Sequence, residues 1–379
     1  MNSSNTYDVV IVGGGIAGLS LAILLGRQHY KILLLEKESY PKHKVCGEYI
    51  SMESKPFLLS LGLAVDEMQL PVINKLQVTD ARGNVVNADL PQGGFGISRY
   101  KLDAALAELA QKAGATILTK TKVEDVQWGS DSYTVKAKDQ TYAAKVVCGT
   151  WGKRSNIDVK WQRTFIKEKN RALNNYIAVK YHINYPWPND IVGLHNFKNG
   201  YCGISRVEDG RTCLCYLTTA TNLQENGNDI KRLEQETVMQ NPWLKKIFGE
   251  AEFLYESPLA ISQISFERKT QVEEHVLLLG DAAGSITPLC GNGMSMAMRA
   301  AKISGGLIDE FLKGSISREV MEKNYSDQWG SVFSKRLSMG RFIQSNFGKG
   351  GITSVFLKVA NAFPFVKRAL IRGASGSVF

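Results

Sequence analysis

One glycine-rich turn constrains this chain more than any other feature. Residues Tyr7 to Val12 are a short apolar run rich in β-branched side chains, which reads as a strand buried on both faces. Gly13-x-Gly15-x-x-Gly18 follows it, and Ile16 to Arg27 then has helical character. Lys31 to Leu35 reads as a second buried strand that ends at Glu36. Each glycine has a physical reason. The first permits a tight turn, the second lets a pyrophosphate approach the backbone, and the third lets helix and strand pack closely. The helix start at Gly15, Ile16 and Ala17 offers free N–H groups and a partial positive charge. Glu36 is placed to accept hydrogen bonds from a ribose, with Lys37 beside it, and its charge would repel a 2′-phosphate. The unit is therefore a dinucleotide site suited to FAD or NAD and not to NADP.

A second motif separates these two. His275 to Leu279 reads as a strand, followed by Gly280-Asp281, small residues, Pro288, and the turn Gly291-Asn292-Gly293-Met294. Asp281 at a strand end can bond a ribityl hydroxyl. A helix opened by Gly291 to Gly293 can aim its N–H groups at the N1–C2=O edge of a flavin, which gains negative charge on reduction. Together the two motifs select FAD.

On these residues the chain resembles the flavoprotein superfamily of aromatic-ring hydroxylases, flavin-dependent halogenases and geranylgeranyl reductases. The similarity spans roughly residues 5 to 155 and 260 to 312. It implies that Asp281 contacts the ribityl chain and that Pro288 to Met294 lie beside the isoalloxazine ring. Ser98-Arg99-x-x-Leu102-Asp103 looks like the family's arginine-led helix start, which implies that Arg99 lies near the FAD phosphate or ribityl group.

Three departures narrow the reaction. Trp151, in Gly149-Thr150-Trp151-Gly152, stands where hydroxylases carry an aspartate that helps with FAD and NAD(P)H. Direct use of NAD(P)H is therefore in question, and a separate electron-donor protein becomes an alternative. The tryptophan signature of halogenases is absent, so halogenation is not expected. Lys44-Val45-Cys46-Gly47-Glu48 looks like the Pro-Cys-Gly-Gly segment of geranylgeranyl reductases, with Glu48 in place of a glycine. The resemblance implies that Cys46 and Gly47 reach the flavin. Cys46 and Glu48 become the candidate catalytic residues, with proton delivery as the role.

The expected fold class is mixed α/β. A Rossmann-like FAD-binding domain of the glutathione-reductase type would come from residues 1–75, 96–155 and 262–320. A β-rich substrate domain would come from 76–95 and 156–261, and a helical region from 321–379. Turns at Asn199-Gly200 and Asp209-Gly210 carry the hairpin signal. Tyr176, Tyr181, His182, Trp187, His195, Phe197 and Tyr201 suggest an aromatic roof for an apolar small-molecule substrate, and His182 and His195 are candidate general bases.

Composition excludes more than it selects. The six cysteines form no CxxC pair, the five histidines form no HExxH, and no metal site or disulfide framework is expected. The formal net charge is +10, yet the basic residues are spread out and match no nucleic-acid module. No uncharged apolar run is long enough to span a membrane and no secretory leader is evident, so a cytoplasmic protein with reduced thiols is expected. Ile352 to Arg372 mixes apolar and basic residues at helical spacing, which suits peripheral contact with an anionic membrane.

Three functions follow as alternatives. One is hydride transfer from reduced flavin N5 to a C=C bond of a lipid-like or polyene substrate. The second is oxygenation of an aromatic or polyene substrate by a reduced flavin that reacts with O₂ at C4a. The third is FAD binding without turnover.

Overall fold

The computed structural model describes residues 5–167, 175–346, 373 and 376–379. Its first sheet is organised around the strand Thr6–Val12. Val9, Val10 and Ile11 have no exposed surface, as a strand covered on both faces requires. Parallel neighbours flank it: Ile32–Leu35 on one side and Gln140–Gly149 on the other. Thr116–Leu118 and Val276–Leu278 extend the parallel set outward. The register brings Val12, Leu35, Gly149 and Leu278 to one edge of the sheet. Ligands of open α/β sheets bind at such carboxyl ends, where the strand order reverses. Thr116–Leu118 and Val123–Gly129 are separate strands, with Lys120 between them at φ 52°.

Helix Ile16–Gly26 starts without a side-chain cap and has no acidic residue in its first turn. Its first N–H groups are thus left for an outside acceptor. Gly13 takes φ 110°, a conformation that L side chains avoid. Gly18 is needed for space, because a Cβ there would stand 2.2 Å from the Gly13 carbonyl oxygen and 2.6 Å from Thr150 Oγ1. The helix packs against Gly293–Leu312, which in turn carries the long helix Arg318–Asn346. The segment Ile352 to Arg372 lies outside the described residues.

The second sheet has the order Glu252–Phe253, Tyr176–Asn184, Thr212–Thr219, Gly200–Arg206, Ile191–Phe197, Val72–Thr79, Val85–Gly96, Tyr49–Ser51, with Leu259–Ile264 also on Tyr176–Asn184. Asn199 at φ 55°, with Asp209 at 58° and Gly210 at 68°, make its turns where the hairpin signals fall. Tyr49–Ser51 and the whole of Val72–Thr79 belong to this sheet, so the chain crosses between layers before residue 75.

Side chains alternate across the second sheet with a period of two. Ala178, Lys180 and His182 face the first layer, whereas Val179, Tyr181 and Ile183 enter a separate core with Leu233, Leu244 and Ile247. Most of the expected aromatic roof therefore points away from the first layer. Tyr181, Trp187 and Phe197 pack in that outer core, while Tyr201 stays on the inner face. His195 is also on the far side, buried between Trp187 and Trp243 with Nδ1 3.0 Å from Thr79 Oγ1. It cannot serve as a base toward the inner face.

Two stability predictions follow from this packing. Gly18→Ala should cost about 1–3 kcal/mol through overpacking, read as a lower urea midpoint at unchanged slope. Burial pulls His195 down to about 4. A histidine that is neutral when folded contributes fully above its unfolded value near 6.5, and that contribution falls as pH drops toward 4. Native stability should therefore decline by on the order of 3 kcal/mol across this window from His195 alone. His195→Gln should flatten that part of a denaturation-versus-pH series.

Candidate functional site

Between the carboxyl edge of the first sheet and the inner face of the second lies one cavity of about 1460 Å³. Of the residues expected to bind the cofactor, together with Cys46 and Glu48, all but one line it. Gly13, Gly15, Ile16 and Ala17 come from the first turn, and Glu36 and Lys37 from the end of the second strand. Cys46, Gly47 and Glu48 come from the loop before Tyr49, and Arg99 from the start of its helix. Gly280, Asp281, Pro288, Gly291, Asn292, Gly293 and Met294 close the far end. Gly18 is the exception and sits behind the turn, where helix meets strand.

The turn end of the cavity is cationic. Lys44 Nζ and an Arg99 nitrogen lie 3.5 and 3.8 Å from where a Gly15 side chain would begin. Asp103 holds both, with Lys44 Nζ at 3.1 Å and a bidentate Arg99 pair at 2.8 Å. Two cations and one carboxylate leave a net positive charge beside free helix N–H groups. Burial pulls the Lys44 ammonium below the ordinary lysine value, with Asp103 acting against it. A phosphate at Gly15 would relieve that strain, so this end fits a pyrophosphate. Lys44 was not among the sequence candidates. Its signal was a lysine two residues before Cys46.

Glu36 is buried, and its carboxylate accepts from Gly14 N at 2.7 Å, from Glu38 N at 3.0 Å and from Lys42 at 2.5 Å. Burial works against its charge, but Lys44 and Lys42 hold its carboxyl below the ordinary range. Lys37 is exposed and lies 3.9 Å from Glu38.

At the other end, Gly291 takes φ 65° and Asn292 caps a twenty-residue helix with no side-chain cap bond. The helix start again offers N–H groups to the cavity, here with Met294 packed 3.9 Å from Cys46 Sγ. Lys269 donates to the Asp281 carbonyl at 2.7 Å, and burial pulls its ammonium down to about 8. Trp151 donates to Asp158, which pairs with Arg163, and Arg163 reaches the Ala282 carbonyl. This chain ties the turn after Gln140–Gly149 to the Gly280-Asp281 turn.

Glu48 is the polar centre of the site. It has no exposed surface and sits at φ 57°. One carboxylate oxygen accepts from Arg99 N at 2.7 Å and from Lys180 Nζ at 2.5 Å; the other is 2.5 Å from His182 Nε2. Burial pushes this carboxyl up, but His182 and Lys180 outweigh it and hold Glu48 below the ordinary range. Cys213 Sγ also lies within 4.8 Å of Glu48 and His182. Lys180 already occupies the carboxylate, so this cluster is an ion-pair network. Lys180, Tyr255 and His43 were not among the candidates. The sequence signal for Lys180 is a lone lysine in the apolar strand Tyr176–Asn184.

Comparison with known proteins agrees with this geometry. Residues 6–329 match a family described as FAD binding domain. The chain belongs to that family and is an FAD-dependent oxidoreductase. It is 25% identical over 366 residues to conditioned medium factor receptor 1 of Dictyostelium discoideum, covering 89% of this chain and 70% of that one. It is 25% identical over 357 residues to digeranylgeranylglycerophospholipid reductase of Methanosarcina acetivorans, covering 90% and 84%. Its fold is similar to that of a flavoprotein/dehydrogenase from Cytophaga hutchinsonii, at TM-score 0.81, 17% identity and coverage of 98% and 93%. Among the described residues no helix is long and apolar enough to cross a membrane.

The cationic end is open to direct test. Lys44→Met should raise the Kd for FAD by about tenfold, equivalent to one charge-assisted contact. Titration of apoprotein with FAD, followed by flavin fluorescence, should also show a shallower salt dependence for the variant.

Proposed function

We propose that the chain reduces a C=C bond in a long apolar substrate, with reduced FAD as hydride donor. One observation carries the reading: a long row of small and aliphatic residues crosses the cavity's roof. Its lining passes from Leu259 through Ala178, Leu217, Gly203, Leu194 and Val78 to Val86, on seven neighbouring strands. Six interstrand steps amount to roughly 29 Å. An extended hydrocarbon chain suits such a surface better than a single aromatic ring does. Similarity to a digeranylgeranylglycerophospholipid reductase supports the same substrate class.

FAD, when bound, supplies the hydride. The chain's own residues do the rest. Gly15, Lys44 and Arg99 would hold its phosphates, and Asp281 its ribityl group. The helix start at Gly291 to Met294 would steady the ring edge that becomes negative. Cys46, half-buried and lining the cavity, is the residue assigned to proton delivery at the second carbon. Glu48 would hold the loop that presents it.

The decisive test is anaerobic. Chemically reduced holoenzyme is mixed with a geranylgeranyl lipid, and flavin absorbance and product mass are followed. Flavin reoxidation with a product gaining two hydrogens is expected, and Cys46→Ala should slow it by on the order of a hundredfold. No reaction until O₂ is admitted, with a product gaining one oxygen atom, would replace this reading with a monooxygenase.

A further inference from the structure

We propose that Glu48, His182, Tyr255 and His43 form a proton relay that runs from half-buried His43 to the fully buried Glu48 carboxylate. The relay rests on the flavin site alone and holds whichever substrate is used.

Four side chains from three parts of the sequence meet in one line, His43 and Glu48 sharing one loop. His182 Nε2 is 2.5 Å from Glu48 Oε2, and His182 Nδ1 is 2.7 Å from the Tyr255 hydroxyl. The same hydroxyl is 3.1 Å from the His43 ring nitrogens. The inner end has no exposed surface at Glu48 and 1% at His182. The outer end is half-buried at His43, whose ring stacks on the exposed Tyr100 at 4.6 Å.

Chemistry gives the line a direction. An ionised carboxylate only accepts, so a neutral His182 carries its proton on Nε2 toward Glu48. Its Nδ1 is then an acceptor for the Tyr255 O–H. The Tyr255 oxygen is equidistant from the two His43 nitrogens, and a turn of the ring lets one N–H donate to it. Every donor points inward. One concerted shift moves the His43 proton to Tyr255, the Tyr255 proton to His182 Nδ1, and the His182 Nε2 proton to Glu48. Solvent protonates the second His43 nitrogen in the same event, so His43 stays neutral, and one proton arrives at Glu48.

The surroundings suit such a line. Lys180 faces Glu48 from the strand Tyr176–Asn184, Cys213 faces it from Thr212–Thr219, and Arg211 faces His43 and Tyr255. Burial first, then Lys180 and His182, disfavour a resident proton on His43 against the opposing pull of Glu48, so His43 sits below its ordinary value. A group of that kind passes a proton on without storing it. At the inner end, Glu48 N is 3.5 Å from Cys46 Sγ, and Cys46 and Gly47 line the cavity.

Two measurements test the relay without any substrate. Photoreduction of the holoenzyme with EDTA delivers two electrons to the flavin and draws at least one proton from the bulk, which a pH indicator dye reports. Tyr255→Phe removes one oxygen atom and should slow that uptake by on the order of a hundredfold. The second readout is exchange of the His182 Nε2 proton with deuterated solvent, followed by NMR, with strand amide exchange reporting opening. It should slow in Tyr255→Phe. The control is Tyr181→Phe on the same sheet, whose hydroxyl bonds Glu234 on the other face, and neither rate should change. Should Tyr255→Phe misfold, His43→Asn cuts the line at its outer end and should give the same slowing. Unchanged uptake and unchanged exchange in the folded variant overturn the relay.

Discussion

Two buried carboxylates, Glu48 and Glu208, tie the second sheet to the start of the helix Arg99–Lys112, and Glu48 is the one that also shapes the cavity. Glu48 sits on the loop that leads into the second sheet, and its oxygens bind the start of one helix and two side chains of the roof. Removing one member of such a network leaves an uncompensated buried charge, which costs about 3–5 kcal/mol. That loss would be felt where the cavity is closed, because Cys46 and Gly47 are held by the same residue. The backbone there also works against the loop. Glu48 takes a left-handed φ of 57°, which disfavours a side chain by roughly 1–2 kcal/mol. The ion pairs offset that cost. A position where the resembling reductases use glycine thus keeps glycine's conformation while gaining a charge.

The same logic of opposed charges shapes the turn end of the cavity. Asp103 is buried and would be unfavourable alone, yet Arg99 and Lys44 hold its carboxyl well below the ordinary range. Asp103 fixes both cations beside Gly15 before any phosphate arrives. Binding then needs little reordering of long side chains, which is the part of recognition that flexible lysines otherwise make unfavourable. The cavity is therefore polar at its two ends and aliphatic across its roof.

Much of the cofactor site was legible in the chain itself. Gly13, Gly15 and Glu36 sit on consecutive elements of one strand–helix–strand unit, so local spacing determines their placement. Asp281 and the Gly291 to Met294 turn follow a strand whose apolar run marks it as buried. The roof was less legible. Aromatic residues in the strands around 176–217 were expected to face the substrate, yet Tyr181, Trp187, Phe197 and His195 occupy the opposite face. A strand's period of two says which residues share a face but not which face is inward.

What the sequence alone determined is the dinucleotide fold and its flavin, because backbone geometry and helix-end charge act between neighbours in the chain. Only the tertiary structure decided the chemistry of the cavity. Lys44, Asp103 and Arg99 meet across a loop and a helix, and Glu48, His182, Tyr255 and His43 converge from three segments spread over more than two hundred residues. Long-range pairing of buried charges leaves no local pattern. Its energy depends on distance and dielectric in the folded state, and neither exists until the second sheet closes over the first.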